Sequence, residues 1–89
     1  MSYRVLLHPK AAAFLRNSEE DIVQRIEERL KELCEEPARK GERLRHSTYY
    51  RLRVGDYRAI YMLEEGEHKV IVLFIGHRRD VYDDFSRLV

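Results

Sequence analysis

One cysteine, one asparagine, one glutamine and no apolar run longer than Val70–Ile75 mark what this chain of 89 residues has little of. A single cysteine, Cys34, cannot close an internal disulfide, which favours a reducing compartment. No run approaches the roughly 18 residues that a membrane-spanning helix needs, so no membrane partner is expected. Met1 to Leu7 lacks the apolar stretch and small-residue cleavage site of a secretory signal, and the expected location is cytoplasmic. There is no phosphate-binding Walker loop, no nucleotide-binding glycine motif and no Ser-His-Asp set. His8, His46 and His68 show no metal-ligand spacing with Cys34, so neither a metal nor another cofactor is expected. Few side-chain amides alongside 37% charged residues also suit a protein adapted to heat.

What is present is enough for one small domain spanning residues 1–89: 44% hydrophobic residues can build a single modest core. The net charge of +1 conceals a division. Ser18 to Glu36 holds eight acidic residues against three basic ones, whereas Arg39 to Arg58 holds seven basic against two acidic, Glu42 and Asp56. Arginine outnumbers lysine thirteen to four. The planar guanidinium fork suits phosphate and carboxylate partners better than a lysine point charge does.

Periodicity divides the chain in two. Tyr3 to Leu7 reads as a short strand ending near Pro9, and Lys10 to Arg16 as a helix of about two turns. Ser18-Glu19-Glu20-Asp21 resembles a capping box that opens a second helix. Ile22, Ile26, Leu30, Leu33 and Cys34 recur at helical spacing behind it, carrying that helix to Glu35 before Pro37 closes it. Glu36 to Gly41 reads as a connector. Tyr49 to Val54, Tyr57 to Leu63 and His68 to Ile75 are rich in β-branched and aromatic residues, a meander of three antiparallel strands. Asp80 to Leu88 reads as a short terminal helix. The expected fold is α+β: a small antiparallel sheet with two N-terminal helices on one face, in the order β-α-α-β-β-β.

The first hairpin places the arginines. With Gly55-Asp56 as a two-residue type II′ loop, Val54 faces Tyr57, Arg53 faces Arg58, Leu52 faces Ala59 and Arg51 faces Ile60. Side chains alternate along a strand, so Arg51, Arg53 and Arg58 share one face. Tyr50, Leu52, Val54, Tyr57, Ala59 and Tyr61 share the other, the core side. Directly opposed like charges destabilise by up to about 1 kcal/mol. A polyanion across that face would reverse the sign. The plain alternative is a solvated face whose arginine stems cover Ile60 and Met62. Arg39, Lys40, Arg43 and Arg45 lie upstream with His46, and Tyr49 shares the arginine side, where it could stack a base. Gly76-His77-Arg78-Arg79-Asp80-Val81-Tyr82 ends the last strand, which the meander returns towards Arg58. His77 and Tyr82 can exchange protons there, and Arg78 can hold phosphate.

These residues, in this order and along essentially the whole chain, resemble the RelE/ParE superfamily of toxins. The resemblance rests on Tyr3-Arg4-Val5, the two helices, Leu44-Arg45-His46, the segment Tyr50 to Tyr61, and Gly76 to Tyr82. It implies a ribosome-dependent endoribonuclease without a metal, cutting mRNA in the ribosomal A site. The ribose 2′-OH attacks the adjacent phosphate to leave a 2′,3′-cyclic phosphate. Such chemistry needs a base, cations on the phosphorane and an acid for the 5′ oxygen. Carried over by position, Arg51 and Arg53 match the family's basic pair, Arg58 its transition-state arginine, Arg78 the arginine of the last strand, and Tyr82 the stacking tyrosine. Arg43, Arg45, His46, Tyr49 and Arg79 would contact RNA.

Where RelE has two lysines this chain has Arg51 and Arg53, and a guanidinium that stays protonated is a poor general base. Glu42 is the first candidate base, since Glu42-Arg43-Leu44-Arg45-His46 resembles the stretch that supplies a glutamate in the YoeB branch. His46 and His77 are the alternatives, and the acid lies between His77 and Arg78. The resemblance also admits a ParE-type gyrase poison and a binding module that cuts nothing. Either toxin implies a RelB-like antitoxin wrapped around it in a hetero-oligomer, with the 30S A site and mRNA as further partners of the nuclease.

Overall fold

The computed structural model describes residues 2–81. Strand β1 (Arg4–Leu7) leads into helices α1 (Pro9–Arg16) and α2 (Glu20–Lys31). A 3-10 turn over Glu32–Cys34 and a one-turn helix α3 (Pro37–Lys40) follow. Strands β2 (Glu42–Arg43), β3 (Tyr49–Val54), β4 (Tyr57–Glu64) and β5 (Lys69–His77) come next. All five strands form one sheet in the order β1-β5-β4-β3-β2. Tyr82 and the greater part of the expected terminal helix lie outside the described residues.

The α+β class and the helix pair on one face are as expected, with four local differences. First, β1 runs parallel to β5, Val5 opposite Val70, so the sheet is mixed. β4 covers one edge of β5 and β1 takes the other; strand periodicity specifies neither partner nor direction. Second, the connector before β3 is structured as α3 and β2. Third, Ser18 is not the cap of α2: its Oγ donates to Phe14 O at 2.7 Å, closing α1, and Glu19 takes the cap position without a side-chain bond. A serine hydroxyl serves whichever backbone group is nearer, and here that is the preceding helix. Fourth, α2 tightens into the 3-10 turn at Glu32 instead of running on as α-helix to Glu35. The opening of α1 is well specified, with Pro9 at its first position and His8 Nδ1 accepting from Lys10 N at 3.2 Å.

The core lies between the sheet and the two helices. Leu52, Val54, Ala59, Tyr61, Val70 and Val72 meet Ala11, Leu15, Ile26 and Leu30, all buried. Each fully buried aliphatic side chain contributes about 1.5–3 kcal/mol of transfer free energy. The opposite face carries a smaller cluster, Ile60, Phe74 and Val81, flanked by Leu44, Tyr49 and Leu73. That cluster depends on a bulge. Ile60 pairs with Phe74 while Tyr61 pairs with Val72, leaving Leu73 as the extra residue in β5. The alternation shifts by one, so Phe74 reaches the side opposite the helices.

Candidate functional site

The site is built on the β3–β4 hairpin. Gly55 has φ +58° and Asp56 does not share that sign, the pattern of a type II′ loop. The register is the expected one: Val54 opposite Tyr57, Arg53 opposite Arg58, Leu52 opposite Ala59, Arg51 opposite Ile60. Leu52, Val54, Ala59 and Tyr61 are buried against the helices, so Arg51, Arg53 and Arg58 lie on the other face.

Each guanidinium is held differently. Arg58 Nη1 donates to Gly55 O at 2.7 Å and to Tyr57 O at 2.8 Å, which draws its charge onto the loop carbonyls. This relieves part of its repulsion with Arg53. Arg51 is ion-paired with Glu42, its neighbour across β2 and β3. Among the described residues no carboxylate pairs with Arg53 or Arg58. β2 is only two residues long, so β3 has an open edge beyond it, and Arg29 of α2 fills that edge by donating from Nη2 to Arg53 O at 3.1 Å. Glu32 holds Arg29 in place, Nη1 to Oε1 at 2.7 Å.

Together Arg29, Lys40, Glu42, Arg51, Arg53 and Arg58 line a concavity of about 260 Å³. Among the described residues lining it, five cations face one carboxylate. Arg29 escaped the sequence reading, because an arginine on a charged helix carries no local signal; Lys40 entered it only as one of the cations upstream of the hairpin.

Tyr61 anchors the α3 wall of this concavity from inside the core. Its hydroxyl donates to Pro37 O at 2.6 Å and its ring stacks on Tyr50, centroids 5.3 Å apart. Burial, with the neighbouring Tyr50 adding to it, pushes the Tyr61 hydroxyl up to about 12, against the backbone N–H of Gly41, which lowers it. Gly41 has no room for a side chain, since a Cβ would meet the Tyr61 hydroxyl and lie 2.9 Å from Arg51 O. A buried tyrosine on the core face thereby fixes Lys40 and Glu42 beside the arginines.

The remaining candidates divide. Arg78 lies beside the hairpin loop, its backbone N donating to Asp56 O at 2.8 Å, and Gly76 is opposite Arg58. His77 is turned away: past the bulge it sits opposite Tyr57, ring centroids 5.9 Å apart, on the helix side with Phe14. Its Nδ1 accepts from Arg79 N at 3.3 Å, and Arg79 is exposed at the turn that follows. Arg43 also points away from the arginine face, opposite Tyr50, and its Nε donates to Ser47 O at 3.0 Å. It braces the loop 44–48, where Arg45 and His46 are exposed and His46 has φ +58°. Tyr49 packs against the Ile60–Phe74 cluster. The described residues contain no group of His, Cys, Asp or Glu able to hold a metal ion, and no helix long and apolar enough to cross a membrane.

Known proteins place this fold and site in context. No curated protein matches the sequence. Among solved structures, the toxin–antitoxin complex RelBE2 from Mycobacterium tuberculosis is similar at 27% identity and a TM-score of 0.80, covering 88% of this chain and all (100%) of that one. An archaeal RelE–RelB complex from Pyrococcus horikoshii OT3 matches at 27% identity and a TM-score of 0.75, over 88% of this chain and 97% of that chain. A mutant of the E. coli toxin RelE in the free state shares the fold at 23% identity, TM-score 0.80, with 100% of both chains covered. Residues 5–82 match the family profile described as the ParE toxin of the type II toxin–antitoxin system, parDE. The chain therefore belongs to the RelE/ParE family of type II toxin–antitoxin toxins.

Proposed function

We propose that this toxin is a ribosome-dependent endoribonuclease that cuts mRNA in the A site by attack of a ribose 2′-OH on the adjacent phosphate. One observation carries the reading: Arg53 and Arg58 oppose each other across the hairpin, with no carboxylate of the described residues between them, beside Arg51 in a concave site. Two cations held together at a cost in folding free energy make sense if an anion completes the site. In this reading Arg53 and Arg58 stabilise the dianionic phosphorane and Arg51 the non-bridging oxygens.

Glu42 is the base, being the one carboxylate among the described residues that line the concavity; phosphate arriving at Arg51 releases it towards the ribose. Arg78, beside the loop, assists the departing 5′ oxygen in place of His77, which faces the helices. Arg45 and His46 contact RNA further along the strand, and Tyr82 stacks on a base. No metal takes part. The partner off the ribosome is a RelB-like antitoxin, whose acidic groups meet Arg51, Arg53 and Arg58 in a cytoplasmic hetero-oligomer; the RelE–RelB complexes of similar structure support this.

Primer extension on a defined mRNA, with ribosomes stalled at an empty A site, tests the proposal. Ribosome-dependent cleavage that disappears with Arg58→Ala is the expected result. Intact RNA would favour the second reading, a ParE-type gyrase poison, which the family match over residues 5–82 supports. Supercoiling assays would then show inhibition by the same protein.

A further inference from the structure

The hairpin loop Gly55-Asp56 is ringed by arginines from three elements. Arg58 of β4 donates to Gly55 O at 2.7 Å. Arg78, just past the end of β5, is exposed and donates its backbone N to Asp56 O at 2.8 Å. Arg25 of α2 arrives from the other flank, its Nη1 lying 3.8 Å from the point where a Gly55 Cβ would stand. No ion pair within the described residues accounts for that position. Asp21 and Glu28 stand four residues before Arg25 and three after it, both within reach on a helix surface, and Asp56 is in the loop itself. Arg25 pairs with none of them. It lies instead beside the residue that Arg58 binds, about one helical turn from Arg29, which lines the concavity. Like charges four residues apart on a helix repel, and an anion between them reverses that sign.

The two flanks of the loop face different chemistry. Sheet order puts β3, and beyond it Glu42 of β2, on the α2 side of the hairpin, with β5 and Arg78 on the other. In the nuclease reading Glu42 serves the attacking 2′-OH and Arg78 the departing 5′ oxygen, so the strand crosses the loop with its 5′ side towards α2. We propose that Arg25 binds the backbone phosphate on the 5′ side of the attacking ribose, next to the scissile phosphate held by Arg53 and Arg58. Arg29, fixed by Glu32 and Arg53 O, keeps the wall between the two phosphates cationic. Arg25 thereby sets strand polarity, since two phosphates define a line where one defines only a point. The proposal rests on the nuclease reading but is tested without cleavage.

The test is titration of the intact toxin, at low ionic strength, with 2′-O-methyl dinucleotides that lack the attacking hydroxyl. Three are compared: without a terminal phosphate, 5′-phosphorylated and 3′-phosphorylated. Backbone amide shifts report binding. The 5′-phosphate should tighten binding about fivefold, the gain of one well-placed ion pair. Arg25→Ala should remove that gain and leave thermal stability and the affinity of the unphosphorylated dinucleotide unchanged; Arg25→Lys should keep most of the gain. Arg4→Ala, which takes an exposed charge from β1 at the far edge of the sheet, should change nothing. No gain from the 5′-phosphate, a gain that survives Arg25→Ala, or an equal loss with Arg4→Ala would overturn the assignment. So would a 3′-phosphate gain that disappears with Arg25→Ala, because the strand would then run the other way. A toxin that shows the Arg25-dependent gain but cuts no RNA on the ribosome retains the assignment and loses the nuclease reading. Cleavage without the gain does the reverse.

Discussion

The two faces of the β3–β4 hairpin are made by the same alternating side chains, yet they obey opposite rules. On the helix side Leu52, Val54, Ala59 and Tyr61 are buried, and the single polar group among them, the Tyr61 hydroxyl, has its partner in Pro37 O. On the other side Arg53 and Arg58 oppose each other with no carboxylate of the described residues between them. One face is satisfied within the described residues; on the other, Arg53 and Arg58 meet no carboxylate among them. The contrast sets a face where burial adds folding free energy against one where opposed like charges subtract from it.

Removing bulk from the satisfied face should have the largest effect. Leu52, 0% exposed, changed to alanine should lower stability by about 4 kcal/mol, a loss of transfer free energy plus a cavity. Chemical denaturation measures it, and Arg53→Ala should change the same curve by less than about 0.5 kcal/mol. A comparable loss for both would erase the distinction between the faces.

Next comes Arg58→Ala. Cleavage should fall by a factor of about 100–1000, or roughly 3–4 kcal/mol of transition-state stabilisation. Denaturation should stay almost unchanged. Ribosome assays at matched folded protein would read this.

Tyr61→Phe takes the fully buried hydroxyl from the helix-side face and should cost about 1–3 kcal/mol, since Pro37 O loses its Tyr61 partner. It should also alter the alkaline limb. The folded hydroxyl titrates at about 12, above its ordinary 10, so its contribution is whole below pH 10 and is lost as pH rises towards 12. In the phenylalanine variant that part of the decline between pH 10 and 12 should vanish. An unchanged slope would assign it to other groups.

The smallest effect sharpens the comparison most. Arg53→Glu sets opposite charges across the pair with Arg58 and should raise stability by about 0.5–1 kcal/mol. The same change should abolish RNA cleavage and weaken the antitoxin. A gain in stability that left both activities intact would show the opposed cations to be incidental.

Much of this was legible from the chain itself where the interactions are local. Gly55 at positive φ and the period of two are properties of a few neighbouring residues, so the hairpin register and the shared face of Arg51, Arg53 and Arg58 followed directly. Ser18 and His77 show where such reasoning stops. The Ser18 hydroxyl chose α1 over α2, and a single extra residue, Leu73, turned His77 towards Tyr57 and the helices. No spacing rule announces a bulge.

Alternation, turn chemistry and amphipathic spacing thus decided the α+β class and which arginines stand together, because both depend on backbone geometry within one or two elements. Long-range packing decided the rest. The parallel docking of β1 on β5 and the anchoring of α3 by Tyr61 join residues far apart in the chain. So does the arrival of Arg29 and Lys40 at the arginine face. Such contacts form only when the whole core closes, and their geometry is the sum of many weak preferences, none of which is written at a single position.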